Sequence, residues 1–163
     1  MSALKNIDLK MLKKIASLYP HIFSTSPTES LDIHLVVEKI VAYYEEIISC
    51  MPGNVYWFDN KLVALGCNAN VLNMLGLKSI KEFRGLSFND MAKIGNWPGI
   101  SLQSFKTDSK EVLRTGKGKF NIEEPMIPDS FGKELYFLSS RVPILDRNEK
   151  VIGIVGISVD ITE

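Results

Sequence analysis

Cysteine and histidine are almost missing from this sequence, with two of each in 163 residues. So few ligands cannot assemble a recognisable four-ligand metal centre from one chain. Cys50 and Cys67 have neither metal-site spacing nor the density of a disulfide scaffold, so both read as free buried thiols. His21 and His34 precede the folded core and have no acid or nucleophile at an interpretable spacing, which leaves general-base and nucleophilic catalysis without a carrier. They read as solvated surface histidines. Excess charge is lacking too: nineteen basic and nineteen acidic residues cancel. Nothing is left over to neutralise a phosphate backbone or an anionic membrane, and nucleic acid is not expected as a direct partner. The longest apolar run, Val151 to Val159, is too short to span a bilayer and is broken by two glycines and a serine, so no membrane segment is expected. The N-terminal MSALKNIDLKMLKK has no continuous apolar run or small-residue cleavage site, which favours a cytoplasmic location. Gly116-Lys117-Gly118-Lys119 does not follow a strand and lacks the rest of a phosphate loop; it reads as a helix-terminating turn.

What is present suits one globular domain with a real core: 45% of residues are hydrophobic and 23% charged. Leu4, Ile7, Met11, Leu12, Ile15 and Leu18 predict an amphipathic helix over 3–19, ended before Pro20. Residues 24–30, rich in serine and threonine around Pro27, read as a linker, so 1–30 form an N-terminal helix and linker. A second helix covers 31–51, where Ile33, Val37, Ile40, Tyr44, Ile47 and Met51 alternate in steps of four and three. That heptad stripe is either a dimer seam or a helix laid on its own domain's sheet. Pro52-Gly53 stops it, and the remaining 52–163 form the main domain.

From Asn54 the period changes. Val55–Phe58 and Leu62–Leu65 predict a hairpin around Asp59-Asn60. Asn68 caps a helix through Val71, Leu72 and Leu75 that Gly76 ends. Short helices follow at 79–84 and 87–94, then a loop at 95–99, then a longer helix over 102–114 with Phe105, Val112 and Leu113 toward the core. Three strands complete the chain, over 120–124, 134–142 and 151–159, with residues 146–149 turning between the last two. Two strands, several helices and three strands predict an α+β domain, a five-stranded antiparallel sheet with its helices on one face. Glu123 and Glu124 are successive strand residues on opposite faces and cannot share one reacting atom.

The order of elements and several motifs resemble the PAS domains of bacterial sensor histidine kinases over roughly residues 44–163. Pro52-Gly53-Asn54-Val55-Tyr56-Trp57 resembles their opening, and Leu65-Gly66-Cys67-Asn68 with Leu75-Gly76-Leu77 their second strand and next helix. Lys110 to Lys117 followed by Glu123-Glu124 resembles their long helix and third strand. The most specific stretch is the end, Val142-Pro143-Ile144-Leu145-Asp146 and then Val151 through Asp160-Ile161-Thr162-Glu163. The resemblance implies a non-enzymatic sensor module. Asp160, Ile161 and Thr162 would form the signal exit into an output module after Glu163, most often a histidine kinase. A ligand-free interaction domain, or the sensor of a diguanylate cyclase or transcriptional regulator, stays open beside it.

The resemblance also implies a small-molecule cleft between the inner sheet face and the helices. Alternation then places Phe137, Ser139 and Arg141 in the cleft with Ile154, Gly156 and Ser158, joined by Val63 and Leu65. The opposite set, Tyr136, Leu138, Val142, Val155, Ile157 and Val159, makes an apolar outer face that needs a cover, for which the helix at 33–51 is the candidate. A guanidinium in the cleft requires a partner: a ligand group, an internal acid, or solvent reached by strand twist near Pro143. The ligand is then expected to be small and to carry an anionic or carbonyl group. Haem-binding relatives use a histidine on the long helix, and 102–114 has none. Light-sensing relatives use a cysteine on the helix after the second strand, whereas Cys67 belongs to that strand. Neither haem nor a flavin-cysteinyl photocycle is expected, and noncovalent flavin follows no motif that can be checked.

Overall fold

Three aspartates fold the strands back by the same device. Asp59 Oδ1 accepts the N–H groups of Lys61 and Val63, Asp129 Oδ1 those of Phe131 and Lys133, and Asp146 Oδ1 those of Asn148 and Lys150. In each turn the residue three after the aspartate takes positive φ: Leu62 at 62°, Gly132 at 85° and Glu149 at 62°. A carboxylate that gathers two amides holds the left-handed residue in place even where it is not glycine.

The computed structural model describes residues 9–19 and 33–163. It divides into two compact units, residues 1–47 and 48–163. The first holds α1 (Leu9–Leu18) and most of α2 (Ile33–Ser49). The expected start of the first helix, the 24–30 linker and His21 fall outside the described residues. Tyr19 and Tyr44 meet edge-on, their hydroxyls 3.2 Å apart. Val36 is the buried residue of α2, whereas Val37, Tyr44 and Ile47 on the expected stripe are exposed; Ile33 and Ile40 are half-buried. Met51 lies beyond the helix end and is exposed, as is Cys50, correcting the expectation that both thiols are buried.

The second unit is the expected α+β domain. Strands β1 (Asn54–Asp59), β2 (Ala64–Cys67), β3 (Lys119–Glu123), β6 (Phe137–Leu145) and β7 (Val151–Asp160) form one antiparallel sheet ordered β2-β1-β7-β6-β3. Helices α3 (Ala69–Leu75), α4 (Ile80–Phe83), α5 (Phe88–Ile94) and α6 (Gly99–Thr115) lie between β2 and β3 in sequence and cover the inner face. The first cap is as expected: Asn68 Oδ1 accepts from Val71 N–H, and Gly76 closes α3 in the left-handed region. Asn68 also accepts from Val55 N–H and donates to the Gly53 carbonyl, tying the start of β1 to α3. Phe58, Phe83, Phe88, Phe105, Val112 and Ile154 anchor the core.

Three features differ from expectation. Helix α6 begins at Gly99, inside the expected 95–99 loop, directly after Pro98 at its N-cap. The segment from Glu134 is not one strand, because β5 (Glu134–Leu135) pairs with β4 (Ile127–Pro128) in a separate two-stranded sheet. The hairpin carries a bulge: Trp57 pairs with Gly66 and Phe58 with Ala64, leaving Leu65 as the extra residue.

Candidate ligand-binding site

Antiparallel register lays the inner face out as cross-strand rows. Asn54, Ser158 and Ser139 align across β1, β7 and β6; Tyr56, Gly156 and Arg141 form the next row; Phe58, Ile154 and Pro143 the one after. The sequence of rows is therefore polar, charged, apolar. Gly156 is required because the Tyr56 ring lies over it: a Cβ there would fall 2.2 Å from the ring. Above these rows is a cavity of about 50 Å³. Its floor is Asn54, Tyr56, Ser139, Arg141 and Ser158, Glu124 closes one side, and Met74, Met91, Trp97 and Phe105 are among the apolar lining.

Arg141 is 1% exposed, which removes the solvent alternative. Its partner is the internal acid Glu124, with Nη2 2.6 Å from Oε1, while Asp108 Oδ2 lies 3.9 Å from Nη1 and the Phe105 ring centroid 5.6 Å from the guanidinium carbon. Asp108 is itself held by Lys119 Nζ at 2.6 Å. The Arg141–Glu124 contact is short but not straight, so both Glu124 oxygens, with Arg141 Nε and Nη1, lack a well-aligned hydrogen bond. Trp97 Nε1 is a further buried donor without a partner. Burial pushes the Glu124 carboxyl above its ordinary range, with Arg141 and the Ser139 hydroxyl pulling the other way. Burial also raises the Tyr56 phenol. Unpaired buried donors and acceptors are costly, roughly 1–3 kcal/mol each, and a molecule that pairs them recovers that energy.

Of the residues expected in the cleft, the structure gathers Phe137, Ser139, Arg141 and Ser158 around the cavity. Ile154 is fully buried in the core beside it without lining it. Val63 and Leu65 are corrected: the bulge reverses the strand's phase, leaving Leu65 45% exposed, and Val63, tied to Asp59 and bridged to Ser87, lies outside the cavity lining. Glu124, Tyr56 and Trp97 were missed. Tyr56 was legible as the inward neighbour of Phe58 two residues on; Trp97 sits on a loop, where alternation gives no direction. The outer set lies on the far face as expected, with Tyr136, Ile157 and Val159 exposed. At the end of β7, Asp160 Oδ1 accepts Thr162 N–H at 2.8 Å, and Thr162 Oγ1 accepts Tyr136 N–H at 2.9 Å, tying residues 160–162 to the start of β6.

A second hollow of about 260 Å³ adjoins the cavity, sharing Asn54, Met74, Phe137 and Ser158 with it and adding Asp160. Burial raises the Cys67 thiol to about 12, far from the thiolate range of redox-active cysteines. Among the described residues no group of three acidic, histidine or cysteine side chains could hold a metal, and no helix is long and apolar enough to cross a membrane.

The sequence matches the PAS fold family over residues 49–163, and the chain belongs to that family of non-catalytic sensory domains. No curated protein matches it significantly. Among solved structures, the PAS domain of Bordetella pertussis BvgS superposes with a TM-score of 0.61 at 18% identity, over 76% of this chain and 88% of that one. Vibrio cholerae VqmA, a dimer described among LuxR-type receptors, gives 0.60 at 18% identity over 77% of this chain. This chain spans only 51% of that VqmA chain. A Rhodobacter sphaeroides LOV protein gives 0.58 at 12% identity, over 77% of this chain and 69% of that one.

Proposed function

We propose that this chain is the sensory and dimerisation module of a bacterial signal-transduction protein, and that it takes a small molecule on the inner sheet face. The observation that carries this reading is the set of polar atoms on Arg141, Glu124 and Trp97 that are buried around a cavity and lack a well-aligned hydrogen bond. A ligand-free interaction domain gains nothing from such atoms, since apolar packing would serve it better. The raised pKa of the buried Cys67 thiol argues against a redox signal at that residue. Ligand contacts are assigned to Phe137, Ser139, Arg141 and Ser158, with Glu124, Tyr56 and Trp97 added.

The signal leaves through Asp160, Ile161 and Thr162, toward an output module after Glu163. A histidine kinase is the first reading of that module. A transcriptional regulator is the second, favoured by VqmA, which has been solved with a ligand and DNA and bound to DPO. The stripe Ile33, Val37, Ile40, Tyr44, Ile47 and Met51 joins two copies. The test is mass spectrometry of the denatured purified protein: a small molecule should be recovered from the parent and lost from Arg141→Ala. Recovery of nothing from the parent, together with no thermal stabilisation by host metabolite extract, would favour the ligand-free domain.

A further inference from the structure

The charges at the cavity are already balanced. Arg141 faces Glu124, and the nearest further charge, Asp108, is held by Lys119. An anionic head would leave Arg141 shared between two acids, and a cationic head would set a second cation beside it; either buries an uncompensated charge. What remains open is hydrogen bonding. Arg141 Nε and Nη1 and Trp97 Nε1 are donors without aligned acceptors, and the two Glu124 oxygens are acceptors without aligned donors. A head group that answers both carries an acceptor and a donor on neighbouring atoms and no net charge, as a primary amide does.

Size sets the second condition. The inner cavity holds about 50 Å³, against about 150 Å³ for a cavity that takes a benzene ring. A head group fits there, and a larger body must continue into the adjoining 260 Å³ hollow. Met74 is among the residues common to both spaces, and the one polar contact described for its side chain is a 3.6 Å hydrogen bond from Asn54 Nδ2 to its sulfur. An unbranched thioether is the side chain best able to swing aside. We propose, resting on the sensory reading above, that the ligand is an uncharged molecule with an amide-like head. The head seats between Arg141 and Glu124, and the body displaces Met74 toward the hollow that reaches Asp160. This narrows the expectation of an anionic or carbonyl group to the carbonyl, because Glu124 already supplies the negative charge that Arg141 needs.

The test uses four molecules of nearly one shape: benzamide, benzoate, benzamidinium and toluene. Each is titrated into the full chain with ¹³C-methyl-labelled methionine, the Met74 and Met91 signals being assigned by Met74→Leu and Met91→Leu. Benzamide should move the Met74 signal saturably, and the other three should bind at least about tenfold more weakly, because each either buries a charge or leaves the polar atoms unpaired. In Glu124→Gln, preference should swing from benzamide toward benzoate by about tenfold or more, since Arg141 is then uncompensated. The ranking in the parent needs no variant and stands if Glu124→Gln does not fold. Benzoate or benzamidinium binding as well as benzamide, or no probe moving Met74, would overturn the proposal. A charged molecule recovered from the purified protein would overturn it while leaving the sensory reading intact. Failure of both the recovery and the titration would remove the two together.

Discussion

One step along the chain separates Glu123, which is exposed, from Glu124, which turns inward to the buried guanidinium of Arg141. Alternation gave that opposition but could not say which of the two faced in, because the end of a short strand carries no apolar neighbours to fix its phase. Arg141 was legible as an inward residue for the opposite reason: Phe137 and Ser139 precede it on one face of a long strand. The pair makes a pH prediction whose sign depends on competing effects. Burial raises Glu124 from its usual 4.5, and it outweighs Arg141, which pulls down. A carboxyl raised in the folded state binds more protons there than in the unfolded chain. Its contribution is therefore fully present below the ordinary carboxylate pKa and is lost as pH rises through the raised one, each tenfold gain in proton affinity on folding being worth about 1.4 kcal/mol. Urea denaturation of the parent and Glu124→Gln across an acid-to-neutral series should show the parent's relative stability falling as pH rises. A relative stability that grows instead would mean that the ion pair outweighs burial, and that Glu124 titrates low.

At the scale of elements, the three aspartate turns show what a sequence discloses and what it hides. Asp59 and Asp146 were read as turns because alternating apolar runs flank them. Asp129 makes the same hydrogen bonds and has glycine at the left-handed position, yet it went unread, because Ile127–Pro128 and Glu134–Leu135 are two-residue strands too short to show a period. The bulge at Leu65 was hidden for a related reason, since one extra residue changes the facing of a strand without changing its composition. The caps at Asn68, Gly76 and Gly116 were legible because each rests on the chemistry of one residue. The shared turn geometry predicts opposite results for two exposed positions. Glu149 sits at φ 62° and Gly132 at 85°. Glu149→Gly should stabilise by up to about 1 kcal/mol, and Gly132→Ala should destabilise by about 1–2 kcal/mol, because only glycine takes left-handed φ without strain. Urea midpoints with unchanged slopes check both. A loss of stability in Glu149→Gly would show that flexibility gained by the unfolded chain outweighs the strain relieved.

For the whole molecule, the question is what meets the exposed apolar residues of α2. Val37 is 47% exposed, Tyr44 46% and Ile47 37%. They recur at the heptad spacing that packs one helix against another, while Val36, off that stripe, is the buried position. An apolar stripe left to water on an ordered helix is a surface for a partner. On the dimerisation reading proposed above, that partner is a second copy of the same helix, related by a two-fold axis that would let each seam residue meet its counterpart. Such a joint would let a change in one sensor domain reach both output modules together. Tyr44 is a poor probe of it alone, because its hydroxyl also contacts Tyr19 and its loss would disturb α1 as well. The sharper variant is Val37→Glu with Ile47→Glu, which sets like charges opposite each other across a two-fold seam without touching the Tyr19 contact. Analytical ultracentrifugation should find the parent a dimer and this variant a monomer with an unchanged circular dichroism spectrum. A parent that stays monomeric at high concentration would take the stripe out of self-association. A variant that remains dimeric would move the joint elsewhere, with the exposed Tyr136, Ile157 and Val159 of the outer sheet face as the next surface to charge.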